Sequence, residues 1–403
     1  MRTRLLRFDP RSFLLVLVAF TGNAEIGGID LVLSAFIPAA FLFQTRDPWV
    51  IRRGAVGLFM ALSALLAFAE IRSLFIGITY FPAYYLWPIK ALLLMVLVAT
   101  GRELRWPMGN MLLLGIFCFS LVFWGHVEDG RLVSVFGPNM LYRIFGLMLF
   151  FSAMLFLNNS EGHRIVLAIL AAFGVFAANL TGSSGALLVI ITVALVVIMR
   201  LSYKLGIFLL LVAISWVSAS GVLSGNLTAG SGAPVIYSRL LYKLASTETN
   251  DRLLAWTKIM VQPPSLIGYN HADFDDLWTF GLEYPHNIVV ELYGFYGLLG
   301  IILSVLLLLS LFRARARIVA GDVLAITCAV LTLGAMLSGD LSDNYGAIGL
   351  ALGLLLRERA LNSRARPQNR RTPIASAGRG AGPFGDLRRR SNAPQSSEQA
   401  PVA

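Results

Sequence analysis

The residue best suited to proton chemistry is His286, which stands where a polar stretch meets a long apolar run. It follows Pro285, so we expect it in the first turn of a helix, where the helix dipole is positive. That field favours the neutral imidazole, which can accept a proton from a hydroxyl group as a general base. The simpler alternative is a histidine that only anchors a helix end. Its neighbour Asn287 is a candidate substrate-binding residue.

Two arginines of the same polar stretch, Arg239 and Arg252, could hold an anion. The spacing of apolar residues over 235–261 predicts amphipathic helices along a membrane surface, with these arginines on the polar side. A guanidinium group can contact phosphate oxygens in a bidentate manner. The alternative is ordinary solvated loop charge.

Two further cations, Lys90 and Arg143, lie within or beside apolar runs. Lys90 stands about nine residues into its run, roughly 13 Å along a helix. A lone cation at such depth costs about 2.5 to 3.5 kcal/mol. Lys90 should therefore face the interior of a helix bundle and contact a carboxylate such as Glu70 or an anionic ligand. Arg143, near Pro138, is a similar candidate that is free to reach the interface.

No metal or cofactor is predicted. Asp273 and Asp275 have the DxD spacing with which nucleotide-sugar transferases hold a metal, but the topology derived below puts them outside the cell, where nucleotide sugars are absent. Cys118 and Cys328 both lie inside apolar runs. They therefore supply neither a disulfide in the polar stretch nor a cysteine metal site.

The elements that must position these residues are membrane helices. Of 403 residues, 57% are hydrophobic and 14% are charged, which exceeds what a water-soluble core needs. The sequence predicts an all-α, polytopic transmembrane bundle of about twelve spans. The apolar runs lie at 12–27, 29–44, 54–70, 81–99, 107–124, 140–157, 163–181, 185–201, 204–223, 287–311, 319–338 and 343–356.

Charge placement predicts the topology. With both termini in the cytoplasm, most basic residues fall in cytoplasmic segments, and acidic residues favour the outer side. The net charge of +11 is thus a topology signal, and nucleic acid is not an expected partner. Residues 1–223 form nine spans, 224–286 an outer helical loop, 287–356 three spans, and 357–403 a disordered basic tail.

Several segments together resemble the bacterial O-antigen ligase and O-antigen polymerase superfamily. The first three are Asn250-Asp251-Arg252-x3-Trp256, Pro263-Pro264-x3-Gly268 and His286-Asn287-x3-Glu291, and the fourth is the glycine series Gly294-x2-Gly297-x2-Gly300. Two upstream segments, at 137–139 and 181–186, are similar to further family segments. The sequence match covers about a quarter of the chain, whereas the topology match covers nearly all of it.

The resemblance implies a metal-independent membrane glycosyltransferase of the bacterial inner membrane. Its donor would be an undecaprenyl diphosphate-linked glycan, used on the periplasmic side. By this likeness His286 activates the acceptor hydroxyl, and Arg252 helps to hold the diphosphate leaving group. A partner that regulates chain length, or a flippase, would fit such a pathway.

The chain departs from the family pattern at Ser184, where the family usually carries an arginine that contacts the donor diphosphate. Arg143, Arg239 or Lys90 could supply the missing cation. Mutation of all three to Gln should then abolish polymer synthesis.

Three functions remain open at this point. The form Pro285-His286-Asn287-x3-Glu291 and the modest outer loop favour a polymerase that extends a glycan on its lipid carrier. A ligase would instead transfer the glycan to lipid A core. A transporter or flippase of lipid-linked sugars is the alternative from another class.

Overall fold

The structure, a computed structural model, describes much of the chain up to residue 365. The described ranges are 8–21, 25–26, 29–44, 55–76, 86–101, 104–128, 131–134, 136–158, 163–201, 256–257, 259–269, 287–336 and 341–365. Of the described residues, 84% are helical, which confirms the helical class. Met1–Ser363 form one compact unit and Arg364–Ala403 a second.

The helices follow the apolar runs, because charged and turn-forming residues bound each run. A π-helical turn, Val32–Phe36, leads directly into α2. In chain order the helices are α1 (Pro10–Phe20), α2 (Ile37–Gln44), α3 (Val56–Ile76), α4 (Trp87–Thr100), α5 (Met108–Phe123), α6 (Pro138–Asn158), α7 (Arg164–Leu180), α8 (Ser184–Leu201), α9 (Ile288–Tyr296), α10 (Leu298–Ala320), α11 (Val323–Ala335) and α12 (Leu341–Ala365).

Within the part of the chain that the structure describes, three stretches are long and apolar enough to cross a membrane: Val56–Leu74, Pro138–Asn158 and Leu298–Ala320. Other apolar helices in the described ranges are shorter. For example, α1 has 11 residues, hence about 16 Å of length against a hydrocarbon core of about 30 Å. The predicted count of about twelve spans is not confirmed, and the predicted run at 204–223 lies outside the described residues.

Two small β-hairpins interrupt the helical order, which the all-α prediction did not include. Strands β1 (Glu25–Ile26) and β2 (Ile29–Asp30) pair antiparallel, as do β3 (His126–Glu128) and β4 (Arg131–Val133). Short connections between helices pair their own backbone groups in this way. The first hairpin follows α1, which ends at Phe20, well before the predicted end at residue 27.

Helix α6 occupies the centre of the described bundle. Most of it, 78%, is buried, compared with 22% of the span in α3 and 39% of that in α10. Small residues let its neighbours approach closely. A Cβ added at Gly174 of α7 would lie 3.1 Å from Leu149 Cβ, and one at Gly146 of α6 would overlap Val189 of α8.

The apolar run at 287–311 was predicted as one helix, but it breaks at Gly297. This residue has a φ of +54°, which disfavours any side chain, and separates α9 from α10. A Cβ on Gly300 would overlap the carbonyl of Leu292, so the two helices pack tightly against each other. Gly300 thus allows a close approach between α9 and α10.

Residues 265–269, here called the docked turn, occupy the break. The Leu298 amide donates to the Leu266 carbonyl, and the Tyr269 amide donates to the Gly294 carbonyl, each at 2.9 Å. Gly268 has a φ of +102° and lies against Phe295. An isolated bridge between Ser265 and Gly268 closes this turn.

Arg72 of α3 fastens the docked turn to the bundle. Its guanidinium donates to the carbonyls of Ile267 at 2.7 Å and Tyr269 at 2.6 Å. Hydrogen bonds from a charged donor are stronger than neutral ones. Arg72 lies within α3, beyond the end of the predicted run at residue 70.

Helix α12 continues to Ala365, beyond the predicted boundary at residue 356. The added residues include Arg, Glu, Ala and Leu, which favour helix, and Pro367 follows shortly after the end. The hydropathy pattern ends the helix at residue 356, where the apolar run stops. The polar residues that follow nevertheless have a high helix propensity, so the helix continues. Residues 366–403 lie outside the described part, so the predicted tail stays a prediction.

Candidate substrate site

The starts of four helices and the end of a fifth meet at one place. The Tyr142 ring of α6 occupies the space where a Cβ on Gly185 of α8 would stand, and the Tyr142 hydroxyl donates to the Gly334 carbonyl of α11 at 3.2 Å. The starts of α9 and α12 join this group through the contacts described below. We call these residues the helix-end cluster: Tyr142, Arg143, Gly185, Asn287, Glu291, Gly334, Met336, Leu341 and Asn344.

Arg143 lies at the centre of the helix-end cluster. Its side chain is 1% exposed, and Nη1 donates to the Asn344 side-chain oxygen at 2.7 Å. A Cβ on Gly334 would stand 2.5 Å from Arg143 Nε, so only glycine leaves room for the guanidinium. The prediction that Arg143 is free to reach the interface is wrong, because α11 and α12 enclose it.

Asn287 starts α9. Its side-chain oxygen accepts from the amides of Val289 at 3.0 Å and Val290 at 3.2 Å, as expected for an N-cap. Its amide nitrogen donates to the Met336 carbonyl at 3.2 Å. These contacts fix the helix that follows His286 in sequence. A substrate-binding role for Asn287 stays a prediction.

Glu291 joins α9 to α12 one turn further on. It is fully buried, and Oε1 accepts from the Leu341 amide at 3.0 Å. That amide is among the first of α12, which have no partner within the helix. A carboxylate at a helix start is also favoured by the helix dipole.

Lys90 lies apart from this cluster and is held in another way. It is 1% exposed, as the predicted inward orientation requires, and its ammonium lies 2.5 Å from Asp30 Oδ2. The partner is therefore Asp30 and not the suggested Glu70. Helix α4 begins at Trp87, so Lys90 lies in its first turn, not nine residues along the helix. A substrate-binding role for Lys90 stays a prediction.

The two carboxylate oxygens of Asp30 have different partners. Oδ2 faces Lys90, while Oδ1 accepts from the amides of Val32 at 2.9 Å and Leu33 at 3.1 Å. The ring of Tyr345 lies 5.4 Å from the Lys90 ammonium, which adds a cation–π contact. The hairpin that ends at Asp30 is thereby joined to α4 and α12.

An apolar pocket opens beside the helix-end cluster, between α1, α5 and α6. Its empty volume is about 380 Å³, mouth included. Ile144 and Leu147 line it from α6, and Val16 and Phe20 line it from α1.

The remaining predicted site residues, His286, Arg252 and Arg239, lie outside the described residues. Asp273 and Asp275 do as well, so the absence of a metal stays a prediction. Among the residues that the structure describes, no group of three or more His, Cys, Asp or Glu side chains could hold a metal ion. Cys118 and Cys328 are buried free thiols.

Sequence reasoning missed three residues that the structure brings to these sites. Asn344 and Asp30 were given no role, although a polar side chain beside an apolar run is the same signal that drew attention to Lys90. Glu291 appeared only as part of a motif. Their partners lie far away in sequence, so no local pattern could pair them.

Comparison with known proteins gives no family assignment: no family model, no curated protein and no solved structure matches this chain.

Proposed function

We propose that this protein is a membrane glycosyltransferase that polymerises lipid-linked oligosaccharide repeats for a surface polysaccharide. The donor is a glycan on undecaprenyl diphosphate, and the acceptor is the non-reducing end of a second lipid-linked repeat. The proposal includes about twelve spans in the bacterial inner membrane, with both termini in the cytoplasm and a periplasmic active site.

One observation carries the proposal. Three separate segments that resemble family segments, at 137–139, 181–186 and, in its described part, 287–291, lie at helix starts that meet in the helix-end cluster. These helix starts are connected through the contacts of Tyr142 with Gly185 and Gly334, and of Asn287 with Met336. Helices whose only task is to span a membrane need not bring these three segments together around one buried cation, Arg143.

The same cluster suggests which cation replaces the family arginine at Ser184. Tyr142 packs on Gly185, the residue after Ser184, and Arg143 follows Tyr142 directly. Lys90 is instead paired with a carboxylate. Arg143 is therefore our first candidate for the diphosphate contact, with Arg239 second.

The chemistry that we propose needs one base and at least one cation. His286 accepts the proton of the acceptor hydroxyl, whose oxygen forms a bond to the anomeric carbon of the donor glycan. The bond from that carbon to the diphosphate oxygen breaks, and the lipid diphosphate leaves with the electron pair. Arg252 and Arg143 stabilise the charge that develops on the leaving group.

Two other functions make different predictions. A ligase would use lipid A core as acceptor, and its loss leaves long polymer on the carrier, whereas loss of a polymerase leaves single repeats. A flippase would need no base, so a folded His286→Ala protein would still support wild-type polymer.

The test is turnover of a purified lipid-linked repeat by the purified protein in liposomes, read as product chain length. We expect polymer from the wild-type protein and none from His286→Ala. Arg200→Gln, which changes an arginine of α8 that contacts the far end of α6 through Asn158, is the matched control and should retain activity. Absence of any product from the wild-type protein and a pure donor would refute the proposal.

A further inference from the structure

Arg72 lies near the end of the span in α3, which finishes at Leu74. Its Nε donates to the Ile267 carbonyl and its Nη2 donates to the Tyr269 carbonyl. Nη1 has no hydrogen bond within the described residues, and the ion pairs found there involve other cations. The side chain is also partly exposed. Arg72 is thus a fixed cation with one nitrogen left to bind a ligand.

The surface around Arg72 is apolar. Only 22% of the span in α3 is buried, so most of this helix faces outward. Phe68 lies four residues before Arg72, hence on the same face of the helix, and is 48% exposed. Ile71 of α3 and Leu266 and Ile267 of the docked turn are also exposed. Exposed apolar side chains therefore flank the cation on both elements that position it.

This combination matches the two chemical parts of a phospholipid. In a bilayer, a residue at the end of a span lies at the depth of the lipid headgroups. A guanidinium group donates to phosphate oxygens, which are the anionic atoms at that depth. The apolar side chains one turn further along α3 suit the hydrocarbon chain that the phosphate carries. Charge and apolar surface are thus placed in the order that a phospholipid requires.

We propose that Arg72, Phe68 and Ile71 form a binding site for a phospholipid of the surrounding leaflet. The phosphate accepts from Nη1 of Arg72, and an acyl chain lies along α3 over Phe68. An isoprenoid diphosphate has similar chemistry, but α3 is mostly exposed and phospholipids are in excess around such a helix. The proposal requires that α3 crosses a membrane, and it does not depend on polymerase activity.

The docked turn fixes the guanidinium before a lipid binds. Because two carbonyls of the turn hold it, little orientational freedom is left to lose on binding a phosphate. Arg315 of α10 provides the contrast. It is an exposed arginine near the other end of a span, but it donates to the Phe312 carbonyl of its own helix and lies over the Phe312 ring. No second element holds Arg315 in this way, so it is the matched control.

The test is binding of dioctanoyl phosphatidylglycerol to the purified protein in a maltoside detergent, which contains no phosphate, followed by native mass spectrometry. Arg72→Gln should bind this lipid at least about 10-fold more weakly, because a charged donor is lost. Arg315→Gln should bind it within twofold of the wild-type protein. Dioctanoylglycerol lacks the phosphate and should bind equally to the wild-type protein and Arg72→Gln.

Phe68→Ala tests the apolar part of the site. It should bind dioctanoyl phosphatidylglycerol about 3- to 10-fold more weakly, because less apolar surface is covered. Met60 is 61% exposed on the same helix but lies about 18 Å from Arg72, beyond the reach of an eight-carbon chain. Met60→Ala should therefore bind as the wild-type protein does. Phe68→Ala leaves both hydrogen bonds of Arg72 in place, so it tests the site even if Arg72→Gln does not fold.

Three results would overturn the site. The first is equal phosphatidylglycerol affinity in the wild-type protein and the folded Arg72→Gln or Phe68→Ala variant. The second is an equal loss in Arg72→Gln and Arg315→Gln, which would indicate a general attraction of lipid to exposed arginines. The third is weaker binding of farnesyl diphosphate by Arg72→Gln with unchanged phosphatidylglycerol affinity, which would assign Arg72 to an isoprenoid carrier. Phospholipid binding through Arg72 in a protein that makes no polymer would support the site and refute only the polymerase.

Discussion

Lys90 and Arg143 are both 1% exposed, but their partners differ. Lys90 faces the carboxylate of Asp30, which also starts a helix, so that the pair ties a hairpin to α4. Arg143 faces the amide of Asn344. The carboxylate of Asp30 neutralises Lys90, whereas the amide of Asn344 adds no charge beside Arg143. We propose that the Lys90 pair serves the fold, and Arg143 remains our candidate for a ligand contact.

The largest expected effect tests the structural side of this comparison. Asp30→Ala removes the carboxylate from a buried lysine and should lower the free energy of unfolding by about 3 to 5 kcal/mol. Thermal unfolding of the purified protein in detergent would measure it. A loss below about 1 kcal/mol would contradict a structural role for the pair.

The next effect concerns activity. Arg143→Gln removes the charge but keeps a polar side chain, so polymer synthesis should fall about 100-fold, as expected when one charged contact to a leaving group is lost. Size-exclusion chromatography and the melting temperature would confirm that the variant is folded. If Arg143→Gln makes as much polymer as the wild-type protein, Arg143 is not needed for activity, and the two cations do not differ in this respect.

A smaller effect is expected when both members of the ion pair change together. The double variant Lys90→Met/Asp30→Asn leaves no buried charge unpaired, so its stability should return to within about 1 to 2 kcal/mol of the wild-type protein. Polymer synthesis should persist in it. Loss of polymer in a stable double variant would give Lys90 the substrate-binding role that its burial alone does not require.

The smallest effect is expected at the surface pair of Arg200 and Asn158. Arg200→Gln should change the free energy of unfolding by less than about 0.5 kcal/mol, because exposed polar pairs contribute little. The same unfolding and turnover assays apply. A large loss here would mean that an exposed arginine matters as much as the buried cations, and would contradict the comparison.

The sequence predicted helix positions well where an apolar run ends in charged or turn-forming residues. Helix α6 was predicted at 140–157 and lies at Pro138–Asn158, and α7 was predicted at 163–181 and lies at Arg164–Leu180. Hydropathy could not find the break at Gly297, because apolar residues continue on both sides of it. The break depends on a turn about thirty residues earlier in the chain.

For the candidate site, sequence reasoning found the cations but not their partners. Burial of Lys90 followed from the cost of a lone charge, yet the choice of Asp30 over Glu70 depends on a hairpin that no periodicity reveals. The contact of Arg143 with Asn344 joins residues about two hundred positions apart. Which residues form such pairs depends on how the helices pack, and no local pattern in a single sequence shows that packing.

The break between α9 and α10 has a consequence for the order in which the protein assembles. In a continuous helix the Leu298 amide would bind the Gly294 carbonyl, but here each binds the docked turn. Inside lipid these groups need a partner at every moment. Before the docked turn forms, we therefore expect the Leu298 amide and the Gly294 carbonyl to bind each other in one continuous helix, or to bind water. Synthesis of residues 265–269 before the break makes the docked turn available as soon as α9 has formed.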